Sequence, residues 1–526
     1  MMAMDDYREE HRKEDIKTLH GMGYAQELSR SMSRFSNFAI SFSIICILSG
    51  GINSFAQAIG SIGGAGAGIG WIFGCMVSGV FALAMAQIAS AFPTAGGLYH
   101  WGSILGTRFT GWLTAWLNLL GLVTVLGAIN IGTASYLGGT FGFQLGIADK
   151  TGALTPGVTV AIVAGLTIVQ ALFNHLGIRV TTKLTDVSGY LILGTAALLI
   201  VLCLTFAPHI DISRLWTFSN FSGDAGGGVF PHSTNIGYLF LLCLQLPVYT
   251  ITGYDASAHT SEETKNAAHS VPRAIISSVM WSSLVGWVMV SAIMLAIPDL
   301  KAGAAQGWNV FFWTMDSIMP AGIKFALYVL ILIAQFLCGL ATVTSASRML
   351  FAFSRDGGMP IGSPALARVS PRYRTPVAAI WTAAVFEVGY VFAAQFVSIA
   401  GTSLYTIVVN STLVFLFLSF SIPLTLGMIA YGGKKWPSPG PWAMSAGLYR
   451  LVSILALAGM VLIFYIAIQP PNDYVLHITV AFVILALIIW VVVENRRFEG
   501  PPIGEAAIAK REAAIAAAER AVGETG

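Results

Sequence analysis

Long apolar runs separated by short charged stretches recur along the whole of this 526-residue sequence. A helix needs about 20 apolar residues to cross the hydrocarbon core of a bilayer. Only 10% of the residues are charged, whereas soluble proteins carry about 25%. The pattern therefore predicts an all-α membrane protein that crosses the bilayer many times.

Twelve runs are long enough, or in one case nearly long enough, to be membrane spans. They divide the chain into four predicted segments: a polar N-terminal segment at 1–34, a ten-span core at 35–428, spans eleven and twelve within 429–494, and a tail at 495–526. In chain order, the predicted spans are 35–60, 69–90, 112–137, 158–173, 187–207, 236–259, 274–298, 321–353, 377–396, 404–428, 451–468 and 474–493.

The positions of Lys and Arg predict the orientation of these spans. All but four of the 28 Lys and Arg residues fall on the side that carries both chain ends. Positive residues accumulate on the cytoplasmic side of a membrane. We therefore expect a multi-pass protein of the inner or plasma membrane, with both termini in the cytoplasm. The four exceptions are Lys150, Arg214, Lys301 and Lys324.

Several function classes find no support in the sequence. The five cysteines lie inside apolar runs without metal-ligand spacing, so we expect no metal and no cofactor. No phosphate-binding loop indicates ATP-driven pumping, and no Ser/His/Asp or paired-carboxylate arrangement indicates an enzyme. The net charge of +3 gives no indication of a nucleic-acid partner.

The stretch at 241–273 carries the clearest functional signal. Pro247 lacks an amide proton and Gly253 disfavours a helix, so span six should be interrupted near Thr252 and Gly253. Asp255 follows at a depth where a carboxylate must pair, take up a proton or face water. We consider three roles for it: gating or proton transfer, capping of the second half of span six, and direct substrate contact.

Span one contains a matching feature. Ser49, Gly50 and Gly51 stand in its middle, followed by Asn53, which we include among the candidate substrate-binding residues. Under an inverted five-plus-five repeat, this interruption and that of span six fall at equivalent positions. Unwound segments expose N–H and C=O groups that can hold both ends of a zwitterion. The alternative for the glycines is close helix packing.

Charged residues on two predicted inside loops form a candidate gate. Ion pairs that exist in only one conformation would bias alternating access. The alternative is a solvated charged loop, in which exposed pairs contribute at most about 1 kcal/mol. The residues are Glu262, Glu263, Lys265 and Arg273 on the first loop, and Arg348, Arg355 and Asp356 on the second.

Three further features have open interpretations. Glu387, near the centre of span nine, is either a structural residue or part of a proton relay. The outside loop at 208–233 either folds over the outer mouth or is an ordinary surface loop. The Ala-rich tail at 505–522 predicts a helix in the cytoplasm or on the membrane surface.

Several motifs resemble the amino acid–polyamine–organocation superfamily of transporters. They are the two interruptions, PTAGGLY at 93–99 and SRDGGMP at 354–360. SEETKNA at 261–267 and PRAI at 272–275 are similar to the amino acid/choline transporter branch, which includes carriers for amino acids, γ-aminobutyrate and choline. The resemblance covers roughly residues 29–428.

The resemblance implies a leucine-transporter-like fold: a five-plus-five inverted repeat plus two additional helices, with spans one and six central. Two coupling devices of relatives lack a clear match, namely an amine near 191–193 and a hydroxyl pair near 337–338. By position, Ser49, Gly50 and Gly51 would meet the substrate carboxylate through backbone N–H groups, and Tyr249, Thr250, Thr252, Gly253 and Tyr254 would line the other side.

Together these features predict a secondary active transporter for an amino acid, a γ-aminobutyrate-like compound or another small amine. Its partners would be the lipid bilayer, a small zwitterionic or cationic solute and a coupling ion, either H⁺ or Na⁺. Alternatives of the same fold are a choline or organic-cation transporter and a nutrient sensor without net transport. A channel is a further alternative, but paired interruptions favour an occluded site.

Overall fold

The computed structural model describes residues 2–149, 152–396 and 404–523, called the described residues below. Apart from isolated β-bridges, their regular structure is helical. In lipid, an apolar segment must pair its own N–H and C=O groups, and a helix does this within one segment. The predicted all-α membrane fold is confirmed.

Eleven helices among the described residues are long and apolar enough to cross a membrane, and they match predicted spans one to five and seven to twelve. A shorter apolar helix, Ile236–Thr250, lies at predicted span six, so the count of twelve rests on it. We keep the predicted numbering. The eleven are Arg34–Asn53, Gly66–Ala91, Arg108–Gly142, Pro156–His175, Ile178–Phe206, Ala267–Ala296, Ala321–Arg355, Val377–Gln395, Val408–Ala430, Ala446–Ala467 and Tyr474–Arg497.

Shorter helices connect the spans and form both chain ends. The tail, predicted as one helix, contains two, Glu505–Ala509 and Glu512–Ala521. The remaining connecting helices are Met2–His20, Ala56–Ile62, Leu98–Leu105, Ile212–Leu215, Gly223–Gly226, Ala256–His259, Ser261–Glu263, Leu300–Ala304, Gly307–Asn309, Val310–Ile318 and Ser363–Leu366.

Two faces of the helix bundle matter for function. The terminal face carries the N-terminal segment and the tail; there the N–H of Met32 donates to the carbonyl of Glu263 at 2.8 Å. The loop face carries the segment 208–233, where the N–H of Ser219 donates to the carbonyl of Ile62 at 3.0 Å. The segment 208–233 therefore packs against the helix Ala56–Ile62, which follows span one.

Span one is built from two helices that pack against different neighbours. The first, Arg34–Ile45, contacts spans five, seven and eight. The second, Ile47–Asn53, contacts Gln245–Thr250 of span six as well as spans three, seven and eight. Span one therefore lies among the helices that also surround span six.

Candidate functional site

Span six is interrupted between two helical parts. Its helix ends at Thr250 and resumes at Ala256, with Ile251 through Asp255 outside any helix. Gly253 has a φ of +96° in this segment, a value that glycine adopts readily and other residues rarely do. The interruption includes the predicted positions Thr252 and Gly253.

Hydroxyl groups satisfy part of the backbone next to this interruption. The Thr250 hydroxyl donates to the carbonyl of Leu246 at 2.7 Å. The Thr252 hydroxyl lies against the carbonyls of Val248 and Tyr249. Both threonines are buried, as is Tyr249. Their hydroxyls therefore stabilise the end of the helix, since carbonyls freed in an apolar environment need donors.

Span one is interrupted at a different place from the one predicted. Its helix breaks at Cys46, which has a φ of 24° and a ψ of 82°. Ser49, Gly50 and Gly51 lie inside the helix Ile47–Asn53, and the N–H groups of Ser49 and Gly50 donate to the carbonyl of Cys46 at 2.8 and 3.1 Å. The predicted unwinding at 49–51, with N–H groups free for a carboxylate, is wrong.

Close packing explains the two glycines. A Cβ on Gly50 would lie 2.8 Å from the Thr250 hydroxyl and 2.9 Å from the Thr250 Cα. A Cβ on Gly51 would lie 3.0 Å from the terminal methyl of Met289. The contacts of Gly50 with Thr250 are closer than a Cβ tolerates, and that of Gly51 with the flexible end of Met289 is tight. The glycines therefore let the second half of span one approach spans six and seven.

The two interruptions meet inside the bundle. A Cβ on Gly253 would overlap the side chain of Ile44, which lies two residues before Cys46. The Ser41 hydroxyl donates to the carbonyl of Tyr254 at 2.9 Å. Cys338 of span eight places its sulfur 3.3 Å from the carbonyl of Ile44. Spans one, six and eight thus hold the non-helical segments against one another.

Asp255 is fully buried directly after the span-six interruption. Its Oδ2 accepts a hydrogen bond from Asn118 of span three at 3.2 Å and lies 3.3 Å from Nε2 of His259. Its Oδ1 has no partner among the described residues. The side chain makes no capping bond to the helix Ala256–His259, so the capping role is wrong. The sequence interpretation missed His259, although its i,i+4 spacing from Asp255 predicts a shared helix face.

Polar side chains join spans one and six on the terminal side of the interruptions. Nδ2 of Asn37 lies within 3.0 Å of the carbonyl of Ser257 and of the hydroxyls of Thr260 and Thr264. The hydroxyls of Ser41 and Ser257 are 2.7 Å apart. All five residues are buried. This network closes the path between the two helices toward the terminal face.

Two ion pairs close the terminal face. Arg348 donates from Nε and Nη2 to the carboxylate of Glu263 at 3.1 and 3.0 Å, and both side chains are 0% exposed. Arg355 donates to Glu262 at 3.0 and 2.8 Å. These are two of the predicted pairings, and the solvated-loop alternative is wrong for them. Arg273 is exposed and forms no ion pair within the described part of the chain, contrary to its predicted gating role.

The two glutamates differ electrostatically. Burial raises the pKa of Glu263, and the charge of Arg348 does not offset it fully. Burial also acts to raise the pKa of Glu262. The charge and hydrogen bonds of Arg355, together with the hydrogen bond from the N–H of Ala95, outweigh burial, so the pKa of Glu262 lies below its usual value. Glu262 is therefore the more firmly ionised partner, and its pair persists over a wider pH range.

Both chain ends converge on Asp356 at the terminal face. Its Oδ2 accepts from the hydroxyls of Tyr24 and Tyr99 at 2.6 and 3.1 Å and lies 3.3 Å from Nε2 of His100. Its Oδ1 accepts from Arg511 of the tail at 3.2 Å. Burial would raise the pKa of Asp356, but these hydrogen bonds and the nearby charges lower it overall. We call these five residues the Asp356 cluster.

We expect acid to weaken the Asp356 cluster through His100. Burial lowers the pKa of His100 despite the adjacent carboxylate, whereas an unfolded histidine titrates near pH 6.5. As the pH falls, His100 therefore takes up a proton in the unfolded chain before it does so in the folded protein. The free energy of unfolding keeps its full value above about pH 6.5 and decreases as the pH drops toward the pKa of folded His100. The unfolding temperature should decrease from pH 7.5 to 5.5, and His100→Gln should flatten this slope. The exposed His232→Gln is the control; equal slopes for both variants would contradict the assignment.

A cavity of about 210 Å³ opens on the side of the interruptions that faces the loop face. Asn53 reaches it from the end of the second helix of span one, with its Nδ2 3.5 Å from Oε1 of Gln335. Tyr254, by contrast, is fully buried, and its hydroxyl lacks a partner among the described residues. The lining residues are Ile52, Asn53, Gly132, Ser135, Tyr136, Trp308, Phe311 and Phe312.

The sequence is similar to known permeases over most of its length. Residues 32–493 match the family described as "Amino acid permease". Amino-acid permease BAT1 of Arabidopsis thaliana is 31% identical over 513 residues, covering 92% of this chain and 95% of the relative. Its homolog from Oryza sativa subsp. japonica is 29% identical, covering 92% and 94%. The GABA-specific permease of Saccharomyces cerevisiae is 28% identical, covering 93% and 86%.

Proposed function

Because the chain belongs to the amino acid permease family of the amino acid–polyamine–organocation superfamily, it is a transporter rather than an enzyme, and we propose that it is a secondary carrier for an amino acid or a γ-aminobutyrate-like amine. The name of the yeast relative, a GABA-specific permease, supports the second substrate class. The carrier would work by alternating access in the inner or plasma membrane, with both termini in the cytoplasm.

One observation carries this proposal: the interruption of span six packs against that of span one. Gly253 lies against Ile44, two residues before the break at Cys46. Peptide groups near two such breaks can bind the carboxylate and the ammonium of a zwitterion together. Because Ser49 and Gly50 already use their N–H groups, as do Cys46 and Ile251, we assign substrate contact instead to the peptide N–H groups of Thr252 through Asp255, which make no such backbone bond among the described residues.

The closed terminal face supports a conformation in which substrate reaches the site from outside the cell. The Glu263–Arg348 and Glu262–Arg355 pairs lie on one side of the interruptions, and the cavity at Asn53 lies on the other. In this proposal the pairs break when the carrier opens to the cytoplasm. The exposed Arg273 would take no part in that step.

Asp255 is proposed to hold spans three and six together while the terminal face is closed. Asp255→Asn removes the charge that faces His259 while keeping the side-chain size. Losing a charge-assisted hydrogen bond of about 1.5–3 kcal/mol should lower both uptake and exchange by about 10- to 150-fold. Initial rates in liposomes measure this. Unchanged rates for Asp255→Asn would rule out the gating role.

Counterflow in liposomes tests the proposed function. Purified protein is reconstituted with unlabelled solute inside, and uptake of labelled γ-aminobutyrate, amino acids and choline is followed. A carrier gives saturable uptake with a transient overshoot. Linear uptake without overshoot indicates a channel, and thermal stabilisation by a ligand without uptake indicates a sensor. Choline that outcompetes every amino acid would reassign the substrate class.

A further inference from the structure

Glu387 is a buried acid that the proposed substrate site does not use. It lies within span nine and is 0% exposed. Its Oε2 is 2.8 Å from the hydroxyl of Thr167 in span four, and its Oε1 is 3.4 Å from Nδ2 of Asn130 in span three. Among the described residues it forms no ion pair. An ionised carboxylate in this position would be costly, because no cation compensates its charge.

Hydrogen counting around Glu387 indicates that the acid carries a proton. Asn130 and Gln170 each bring two amide hydrogens, and Thr167 brings one. These three side chains make six hydrogen-bond contacts of 3.1 Å or less, and each contact needs one hydrogen. The three side chains supply only five hydrogens, so one contact lacks a hydrogen. The Thr167 hydroxyl, for example, lies 2.8 Å from both the carbonyl of Val163 and Oε2 of Glu387. A proton on Glu387 supplies the missing hydrogen and lets Thr167 donate to Val163.

The groups that face Glu387 from each packed element are neutral. Span three presents Asn130 and span four presents Thr167, while Gln170 of span four bonds to Asn130. Span eight contributes the carbonyl of Phe336, which accepts from Gln170. Two other titratable side chains lie on spans four and nine. Tyr390 is on span nine itself, and His175 on span four contacts Trp381 and Tyr373.

The cluster is in contact with the helices that border the proposed substrate site. A Cβ on Gly339 of span eight would lie 2.9 Å from Oδ1 of Asn130, so the cluster packs directly on that helix. Gln335, one turn earlier on span eight, approaches Asn53 at the cavity. Gly132, two residues after Asn130, lines the same cavity. A movement of spans three and eight around substrate therefore changes the surroundings of Glu387.

We propose that Glu387 is the binding site of a coupling proton. In the conformation described here it is a neutral acid. When spans three, four and eight separate during transport, its O–H bond breaks and the proton passes to an entering water, leaving a carboxylate. Reprotonation from water on the opposite side of the membrane restores the acid. This inference rests on the proposed carrier function and adds H⁺ as the coupled ion.

Two transport assays in liposomes test this role. A gradient of one pH unit supports about tenfold accumulation of a zwitterion per coupled proton. Wild-type protein should approach that value with labelled γ-aminobutyrate, or with whichever solute shows counterflow. Glu387→Gln keeps the shape and a hydrogen-bond donor, so it should retain counterflow but only equilibrate the solute. The exposed Glu512→Gln is the control and should accumulate like wild type.

Accumulation by Glu387→Gln equal to wild type would overturn the proposal. Asp255→Asn run in parallel should lower counterflow itself, whereas Glu387→Gln should not, and this difference distinguishes loss of gating from loss of proton coupling. If wild-type protein shows no counterflow with any solute, the carrier function itself fails. Infrared difference spectra then test the proton site alone: wild type should show a protonated-carboxyl band at neutral pH that Glu387→Gln lacks. Identical spectra would refute the protonated acid.

Discussion

Replacing Gly253 by valine is expected to abolish transport. The φ of +96° at this position costs a residue with a Cβ about 1–2 kcal/mol, and a β-branched side chain fits it worst. The new Cβ would also overlap Ile44, and overpacking of this kind costs about 1–3 kcal/mol. Because both terms act where the two interruptions meet, we expect counterflow to fall by about 100-fold or more.

Matched variants distinguish this local effect from a general loss of folding caused by replacing a glycine in a membrane span. Gly165 in span four has no atom within 4 Å of its Cβ position, so Gly165→Val should transport like wild type. Gly253→Ala should be impaired less than Gly253→Val. Adding Ile44→Ala to Gly253→Ala should restore part of the counterflow, because it removes the overlap with Ile44 but not the unfavourable φ at position 253. Full activity of Gly253→Val would show that the interruption takes no part in transport.

Removing one partner of the Glu263–Arg348 pair is expected to have the largest effect on stability. Both side chains are completely buried, so Arg348→Met leaves an uncompensated carboxylate inside the protein. Such a change typically costs about 3–5 kcal/mol. The unfolding temperature should drop sharply, and a thiol placed by Ser257→Cys should become reactive toward reagents applied from the terminal face.

The same pair provides its own control. Glu263→Met combined with Arg348→Met removes both charges, and replacing a whole buried pair is often close to neutral. The double variant should therefore regain much of the unfolding temperature lost by Arg348→Met. Arg273→Met changes an exposed arginine without an ion pair among the described residues, so it should leave both measurements unchanged. A double variant as unstable as Arg348→Met would contradict this interpretation.

The membrane fold and one interruption could be predicted from sequence because their signals are local. Apolar runs of sufficient length require helices in lipid, and Pro247 with Gly253 disfavours a continuous helix in span six. Cys46, by contrast, lies in the apolar sequence IICIL without any helix-breaking residue. Its conformation accompanies contacts with span eight, such as that of Cys338 with Ile44, and such contacts override local propensity.

The candidate site likewise has some features that local sequence signals predict and others that depend on tertiary contacts. Charges on two short loops suggested the pairs of Glu262 and Glu263, because few acceptable partners exist for charges beside a membrane. Spacing alone would have suggested that His259 faces Asp255. The Asp356 cluster joins segments far apart in the chain, including Tyr24 and Arg511, and nothing in either segment points to the other. Such sites depend on tertiary packing and need a structure.

The contact of Arg511 with Asp356 also bears on how the protein is made. Chains emerge from the ribosome from the N-terminus onward, so Tyr24 is synthesised before the membrane spans and Arg511 after them. The Asp356 cluster therefore cannot be completed until synthesis has passed the last span. A chain that stops before Arg511 keeps Tyr24, Tyr99 and His100 around Asp356 but lacks the cation that bonds to its Oδ1.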